Sequence, residues 1–261
     1  YRRSRRGIMQ KYFVPPEQLT EAEAVITGED AHHLANVIRA RVGDSIKVSD
    51  GATREATATV AEIAKNRIVA RVDELHPPTA EPAIRVTIAQ SLPKGDKMET
   101  VIQKGTEIGA VRFVPFVSER TVVAYDAKKE TKRLERWQKI AKEAAEQAHR
   151  GRVPEVEAPL AWKQLLQAAG EADAAFFCYE KEAGSMLRTA LRSAIASRGG
   201  TDSMRVLLIV GPEVGFTERE AQEAEQAGCV PVKLGARILR TETAGMVGLA
   251  CVLYEAGEMG G

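Results

Sequence analysis

Seven residues, His76-Pro77-Pro78-Thr79-Ala80-Glu81-Pro82, constrain this chain more than any others. Three prolines in so short a stretch fix φ, remove backbone donors and interrupt both helix and sheet. Few contacts are expected to cross such a segment, and the hydrophobic period changes from one side of it to the other. Before it, Ser45–Asp50, Arg54–Val60 and Arg67–Asp73 alternate apolar with polar residues, with turn chemistry at Asp50-Gly51 and Lys65-Asn66. These segments predict a small β-rich domain over 9–76, a linker over 77–82 and a second domain over 83–261. Residues 1–8 read as a tag or upstream extension, with Met9 as the natural start.

After the prolines, apolar strand candidates alternate with segments of helical period, which predicts an α/β domain with a mostly parallel sheet. The strands expected are Ile84–Ala89, Val111–Val117, Ala174–Tyr179, Val206–Val210 and Val230–Leu234. Lys128–His149 carries Leu134, Trp137, Ala141, Ala144, Ala145 and Ala148 on one stripe of a charged helix, a pattern that belongs to a core.

Bulk charge does not select a partner. Lys plus Arg total 37 against 36 acidic residues, but four of the cations lie in the first six residues, leaving 33 against 36 in the remainder. A nucleic acid would have to be met by a local basic patch. Cys178, Cys229 and Cys251 lie far apart without Cys-x-x-Cys spacing, as expected in a reducing cytoplasm. No apolar run reaches 18 residues, so no membrane span is expected. His32, His33, His76 and His149 lack metal-ligand spacing, so no metal is expected either. A Walker loop, a Gly-x-Ser-x-Gly elbow and His-Glu-x-x-His are all missing.

Chemistry is therefore sought where strands end in loops. Val206–Val210 runs into Gly211-Pro212-Glu213-Val214-Gly215-Phe216, and Thr217 with Glu220 has capping-box spacing for the helix that follows. Val230–Leu234 runs into Gly235-Ala236-Arg237-Ile238-Leu239-Arg240-Thr241-Glu242-Thr243, before an apolar helix over Ala244–Tyr254. Arginines, apolar residues and a helix N-terminus within a few residues suit a heterocycle beside an anion. The alternative is that Ile238 and Leu239 pack in the core while Arg237 and Arg240 bind surface carboxylates. A third loop, Ser91-Leu92-Pro93-Lys94-Gly95-Asp96-Lys97, precedes a helix with Lys104 and Glu107; its lysines suit either phosphates or a solvated face.

Taken together, these loops resemble the RsmE family of 16S rRNA (uracil(1498)-N3)-methyltransferases, in the SPOUT superfamily. The resemblance rests on Met9-Gln-Lys-Tyr-Phe-Val, His32-His33-Leu34 to Arg39 with Gly43-Asp44, Leu92-Pro93-Lys94-Gly95-Asp96-Lys97 and Gln103-Lys104-Gly105-Thr106-Glu107-Ile108-Gly109. It continues through Glu135-Arg136-Trp137 to Glu146-Gln147, Gly211-Pro212-Glu213, and Leu234-Gly235 with Arg237-Ile238-Leu239-Arg240-Thr241-Glu242-Thr243-Ala244. It implies an N-terminal PUA-like β-barrel and a C-terminal SPOUT methyltransferase domain with a deep trefoil knot, acting as a homodimer on 16S rRNA of the small ribosomal subunit. The cofactor implied is S-adenosylmethionine, held by Gly211, Glu213, Gly215, Leu234, Gly235, Ile238, Leu239, Arg240, Thr241, Thr243 and Ala244.

For catalysis, Arg240 is expected to stabilise charge developing on the uracil carbonyls. Glu213 and Glu242 are the acidic candidates for the N3 proton, each equally suited to capping a helix or holding an arginine. RNA phosphates are expected at Arg39, Arg41, Lys94, Lys97 and Lys104. One departure from the family's Gly-Pro-Glu-Gly-Gly is Val214 at the fourth position. At positive φ a valine there would be strained and would narrow the pocket, so Val214→Gly is expected to tighten cofactor binding. Two other readings are an RNA-binding protein without turnover, favoured only by Val214, and the same chemistry on another RNA.

Overall fold

A computed structural model describes residues 10–122, 127–179 and 184–260 of the 261-residue chain. The extension expected at 1–8 and the start at Met9 lie outside the described residues. Two units form, one through Glu81 together with Ala145–Val153, the other Pro82–Ala144 together with Pro154–Gly261.

The first unit contains β1 (Lys11–Phe13), β2 (Glu23–Thr27), α1 (Gly28–His32), β3 (Ser45–Ser49), β4 (Glu55–Ala64) and β5 (Arg67–His76). They make a five-stranded sheet in the order β1-β3-β4-β5-β2, antiparallel except for β1 beside β3. Alternate residues Ile46, Val48, Ala56, Ala58, Val60, Ile68 and Ala70 fill its core, joined by Leu34. Strands β4 and β5 outrun the expected segments because their far ends pair as a ribbon. Residues 61–64 are exposed there, so no hydrophobic alternation marks them. Register shifts at Thr57/Ala58 and Val60/Glu62 bend this hairpin.

Ala145–Val153 joins this unit through buried polar bonds. Lys11 pairs with Glu55 at 2.8 Å, both side chains sealed from water, and donates to the His149 carbonyl at 3.0 Å. Ser49 donates to the Gly151 carbonyl at 2.7 Å. Glu81 holds Arg150 at 2.6 Å and accepts the Gly151 and Arg152 N–H groups at 3.1 Å each. The acid at the end of the proline stretch is thus an anchor for a segment distant in sequence.

The second unit contains β6 (Arg85–Ser91), α2 (Lys97–Ile108), β7 (Arg112–Val117), α3 (Ala127–Gln147), β8 (Glu155–Val156), β9 (Leu160–Ala161) and α4 (Trp162–Glu171). There follow β10 (Ala174–Cys178), β11 (Ser185–Met186), α5 (Leu187–Arg198), β12 (Arg205–Val210), α6 (Glu218–Gln226), β13 (Val230–Lys233) and α7 (Thr241–Glu255). The sheet is parallel throughout, in the order β11-β13-β10-β12-β6-β7-β8, with β9 also beside β7. Its central strands are near-continuous apolar runs because helices cover both faces. Leu165 and Ala169 of α4 and Ala221 and Ala224 of α6 pack with Ala89, Phe116, Phe177 and Ile209 on one face. On the other, α7 lies so close to β12 that a Cβ at Gly248 would come within 2.5 Å of Leu208. In α3 the expected stripe is core: Trp137, Ala141, Ala144 and Ala145 are buried.

Candidate functional site

Strand order creates the site. From β6 the sheet grows outward in both directions, β7 on one side and β12 then β10 on the other, a switch point where open parallel sheets leave a crevice at their strand ends. β10 sits between β12 and β13, so the loops leaving β12 and β13 flank its end.

The first loop is shaped by two glycines. The Gly215 N–H bonds the Pro212 carbonyl at 2.9 Å, and Gly215 takes φ 71°, a left-handed conformation open to glycine. Gly211 lies against the buried Phe216 ring, where a Cβ would sit 2.8 Å from Cε2. The loop ends in the expected capping box: Thr217 Oγ1 accepts the Glu220 N–H at 3.2 Å, and Glu220 accepts the Thr217 N–H at 2.9 Å. The buried Glu220 also accepts the Glu119 N–H at 2.7 Å, tying this turn to the segment after β7. Arg120 supports it further, donating to the Val214 and Phe216 carbonyls at 3.2 and 3.4 Å.

Val214 is not strained. The non-glycine residues at positive φ are Arg39, His149 and Ser203 among the described residues, and the Val214 side chain is 60 % exposed. The left-handed step falls on Gly215, so the condition under which Val214 would distort the loop is not met.

In the second loop, α7 begins at Thr241, three residues before the expected Ala244, because Arg240 acts as its N-cap. The Arg240 carbonyl accepts the Thr243 and Ala244 N–H groups at 2.9 Å each. Thr241 Oγ1 donates to the Gly211 carbonyl at 2.6 Å, joining the two loops. Ile238 is 86 % exposed, which removes the alternative that it packs in the core.

Between these loops lies a cavity of about 680 Å³. Its wall includes Gly211, Glu213, Gly215, Leu234, Gly235, Ile238, Leu239, Arg240, Thr241 and Ala244, each expected at a ligand site. Thr243 is not part of that wall; its N–H closes the first turn of α7 instead. The sequence did not disclose Cys178 and Tyr179, which reach the cavity because β10 lies between β12 and β13. Only strand order, which periodicity does not encode, could have found them. Burial pushes the Cys178 thiol up to about 12, which disfavours its thiolate form.

The expected phosphate contacts separate into two sets. Arg39 and Arg41 of the first unit and Lys94 of the second are exposed, whereas Lys97 is drawn into the cavity wall. Lys97 Nζ pairs with Glu213 at 2.9 Å and lies 3.9 Å from Glu242. Lys104 bonds both Glu107 oxygens, at 2.8 and 3.1 Å. Partial burial works to raise the Glu213 carboxyl, but the Lys94 N–H, the Lys97 ammonium and its own N–H outweigh it and hold it below its ordinary 4.5. Among the described residues, no cluster of three or more His, Cys, Asp and Glu side chains could hold a metal, and no helix is long and apolar enough to cross a membrane.

The cavity thus offers an apolar slot, carboxylates anchored by a lysine, and two arginines at its mouth. The chain as a whole is similar to known proteins. An RNA methyltransferase domain model matches residues 80–253, and an RNA methyltransferase PUA domain model matches residues 26–73. Ribosomal RNA small subunit methyltransferase E of Bacillus subtilis (strain 168) is 40% identical over 250 residues, 95% of this chain and 97% of that protein. The protein of the same description from Synechocystis sp. is 37% identical, covering 91% of this chain and 75% of its own. A crystal structure of a ribosomal RNA small subunit methyltransferase E from Neisseria gonorrhoeae bound to S-adenosyl methionine superposes with a TM-score of 0.80 at 29% identity, over 94% of this chain and 97% of the other.

Proposed function

Because the chain belongs to the small-subunit rRNA methyltransferase E family, we propose that it transfers a methyl group from S-adenosylmethionine to N3 of uridine 1498 of 16S rRNA in the small ribosomal subunit. The observation that carries this reading is that the two loops at the ends of β12 and β13 line one cavity together. S-adenosylmethionine supplies a methyl group made electrophilic by its sulfonium. The residues present fit that group: Leu234, Ile238, Leu239 and Ala244 provide an apolar wall for adenine, while Glu213, Glu242 and Lys97 suit ribose hydroxyls and the amino-acid end.

The catalytic requirement is positioning, together with stabilisation of the uracil anion left when the N3 proton departs. Arg240 is exposed at the head of α7 and belongs to the cavity wall, so its guanidinium is available to the uracil carbonyls where negative charge grows. Glu213 is a weak proton acceptor, since its carboxylate is held down by the Lys94 N–H and Lys97. Besides facing the ligand, it fixes the Lys94–Lys97 turn against the first loop. Arg39, Arg41 and Lys94 are the exposed cations assigned to RNA phosphates, and replacing them should weaken binding and flatten its salt dependence.

The proposal extends to a homodimer in the cytoplasm, with the trefoil threading of the superfamily in the second unit. A helix apolar on all sides normally has a partner on every side. α7 is such a helix, yet Tyr254 is 63 % exposed and Cys251 is exposed beside it. Covering this face with a second copy would account for its composition.

Labelled S-adenosylmethionine and small subunits lacking the modification test the activity. Methyl incorporation at N3 of uridine 1498 supports it, incorporation at another base moves the same chemistry to another target, and binding without incorporation leaves an RNA-binding protein.

A further inference from the structure

Gln90, at the end of β6, is fully buried and forms no part of the cavity wall. Its register partner in β12 is Val210, directly before the first cofactor loop. The side-chain amide Nε2 donates to Thr241 Oγ1 at 2.8 Å and to the Ser91 carbonyl at 3.1 Å, and lies 3.5 Å from the Gly211 carbonyl. Thr241 has one hydroxyl proton. By accepting from Gln90 it is left to donate that proton to Gly211, at 2.6 Å. The bonds therefore run in one direction, from the sheet floor through the head of α7 to the loop after β12.

The other end of the amide gives the second observation. Gln90 Oε1 is buried without a hydrogen-bond partner. An unpaired buried acceptor is destabilising, and an apolar side chain of the same shape would avoid it. What the amide provides in return is a donor aimed at the junction of two loops whose joining residues, Gly211 and Thr241, are 30 apart in sequence.

We infer that Gln90 is a positioning residue, fixing the spacing of the two cofactor loops through Thr241 without touching the ligand. This inference rests on the cofactor reading of the cavity. Gln90→Leu removes the donor with a side chain one atom shorter, Gln90→Met removes it at nearly constant length, Thr241→Val removes the hydroxyl at constant shape, and Thr241→Ser keeps it. Cofactor affinity is measured by calorimetry with S-adenosylmethionine, and loop opening by hydrogen exchange over 211–215 and 235–240 in the cofactor-free protein.

Gln90→Leu and Thr241→Val should each weaken binding about tenfold and speed exchange in both loops. Their combination should be no worse than either alone, because the two groups act in one chain of bonds. Because Thr241 also lines the cavity, Thr241→Ser should lose less affinity than Thr241→Val and keep slow exchange in both loops. Unchanged affinity in Gln90→Leu, losses that multiply in the double variant, or equal loss in the serine and valine variants would overturn the inference. Should Gln90→Leu fail to fold, Gln90→Met carries the same test, since it also lacks the amide donor. A parent protein that binds no S-adenosylmethionine would sink the cofactor reading, and the exchange rates would still decide whether Gln90 couples the loops.

Discussion

Replacing Gly211 by alanine would put a methyl group where the Phe216 ring already lies. The added Cβ would sit 2.8, 3.0 and 3.2 Å from three ring carbons, against an ordinary carbon contact of about 3.5–4.0 Å. The ring has little room to retreat. Its centroid is 4.2 Å from Phe177, 5.7 Å from Trp162 and 6.3 Å from Phe116, and Trp162 is itself held by Glu223 at 2.7 Å. Relief by roughly half an ångström must therefore move the Gly211 backbone or the aromatic cluster, at a cost of about 1–3 kcal/mol. For a unit of this size about 2 kcal/mol lowers Tm by about 4–8 °C. Because the Gly211 carbonyl receives the Thr241 hydroxyl, the displacement reaches the second loop, and affinity for S-adenosylmethionine should fall about tenfold. Thermal unfolding and calorimetry read the two effects. Gly211→Ala combined with Phe216→Leu should lose less than the sum of the single changes. A Gly211→Ala protein with Tm within about 1 °C and affinity within about twofold of the parent would refute the argument from close packing.

Arg240→Ala should bind S-adenosylmethionine within a few-fold of the parent but lower kcat by about 10²–10³, as expected for loss of an anion-stabilising group; an undiminished rate would remove that role. Val214→Gly should leave affinity within about twofold, since the side chain is largely exposed and the backbone is not left-handed; calorimetry checks this reversal of the sequence-based expectation. Asp50→Ala should destabilise the first unit by about 1–2 kcal/mol, measured by denaturant unfolding, because Asp50 Oδ1 accepts the Ala52, Thr53 and Arg54 N–H groups. The same carboxyl sets a pH dependence. Burial works to raise its pKa, but the Arg54 and Ala52 N–H groups, the Arg54 guanidinium and the Thr53 N–H bring it to about 2. A depressed pKa gives stability present above the unfolded value near 3.8 and lost as pH falls toward 2, so the Tm gap between parent and Asp50→Ala should close across that interval.

What could be read from the sequence is what depends on neighbours a few residues away. The strand, glycine loop and helix at 206–226 follow from an apolar run, Gly211 and Gly215, and the Thr217/Glu220 spacing, because caps and turns are settled within one turn of chain. The hairpin of β4 and β5 follows from alternation around Lys65-Asn66 for the same reason. The two loops that line the cavity were likewise legible, since both lie between a strand and a helix that announce themselves locally.

Tertiary structure alone decided which of these local pieces meet. Which strand edges pair set the order β13-β10-β12-β6-β7, and that order brought Cys178 and Tyr179 to the cavity. It also paired Lys97 with Glu213, 116 residues away, and set Gln90 beneath Thr241. The Val214 conformation was decided in the same way, by a turn that assigns positive φ to its neighbour Gly215. Periodicity records that a side chain is buried, not what it is buried against; the second depends on contacts far apart in sequence, which form only when the whole sheet has assembled.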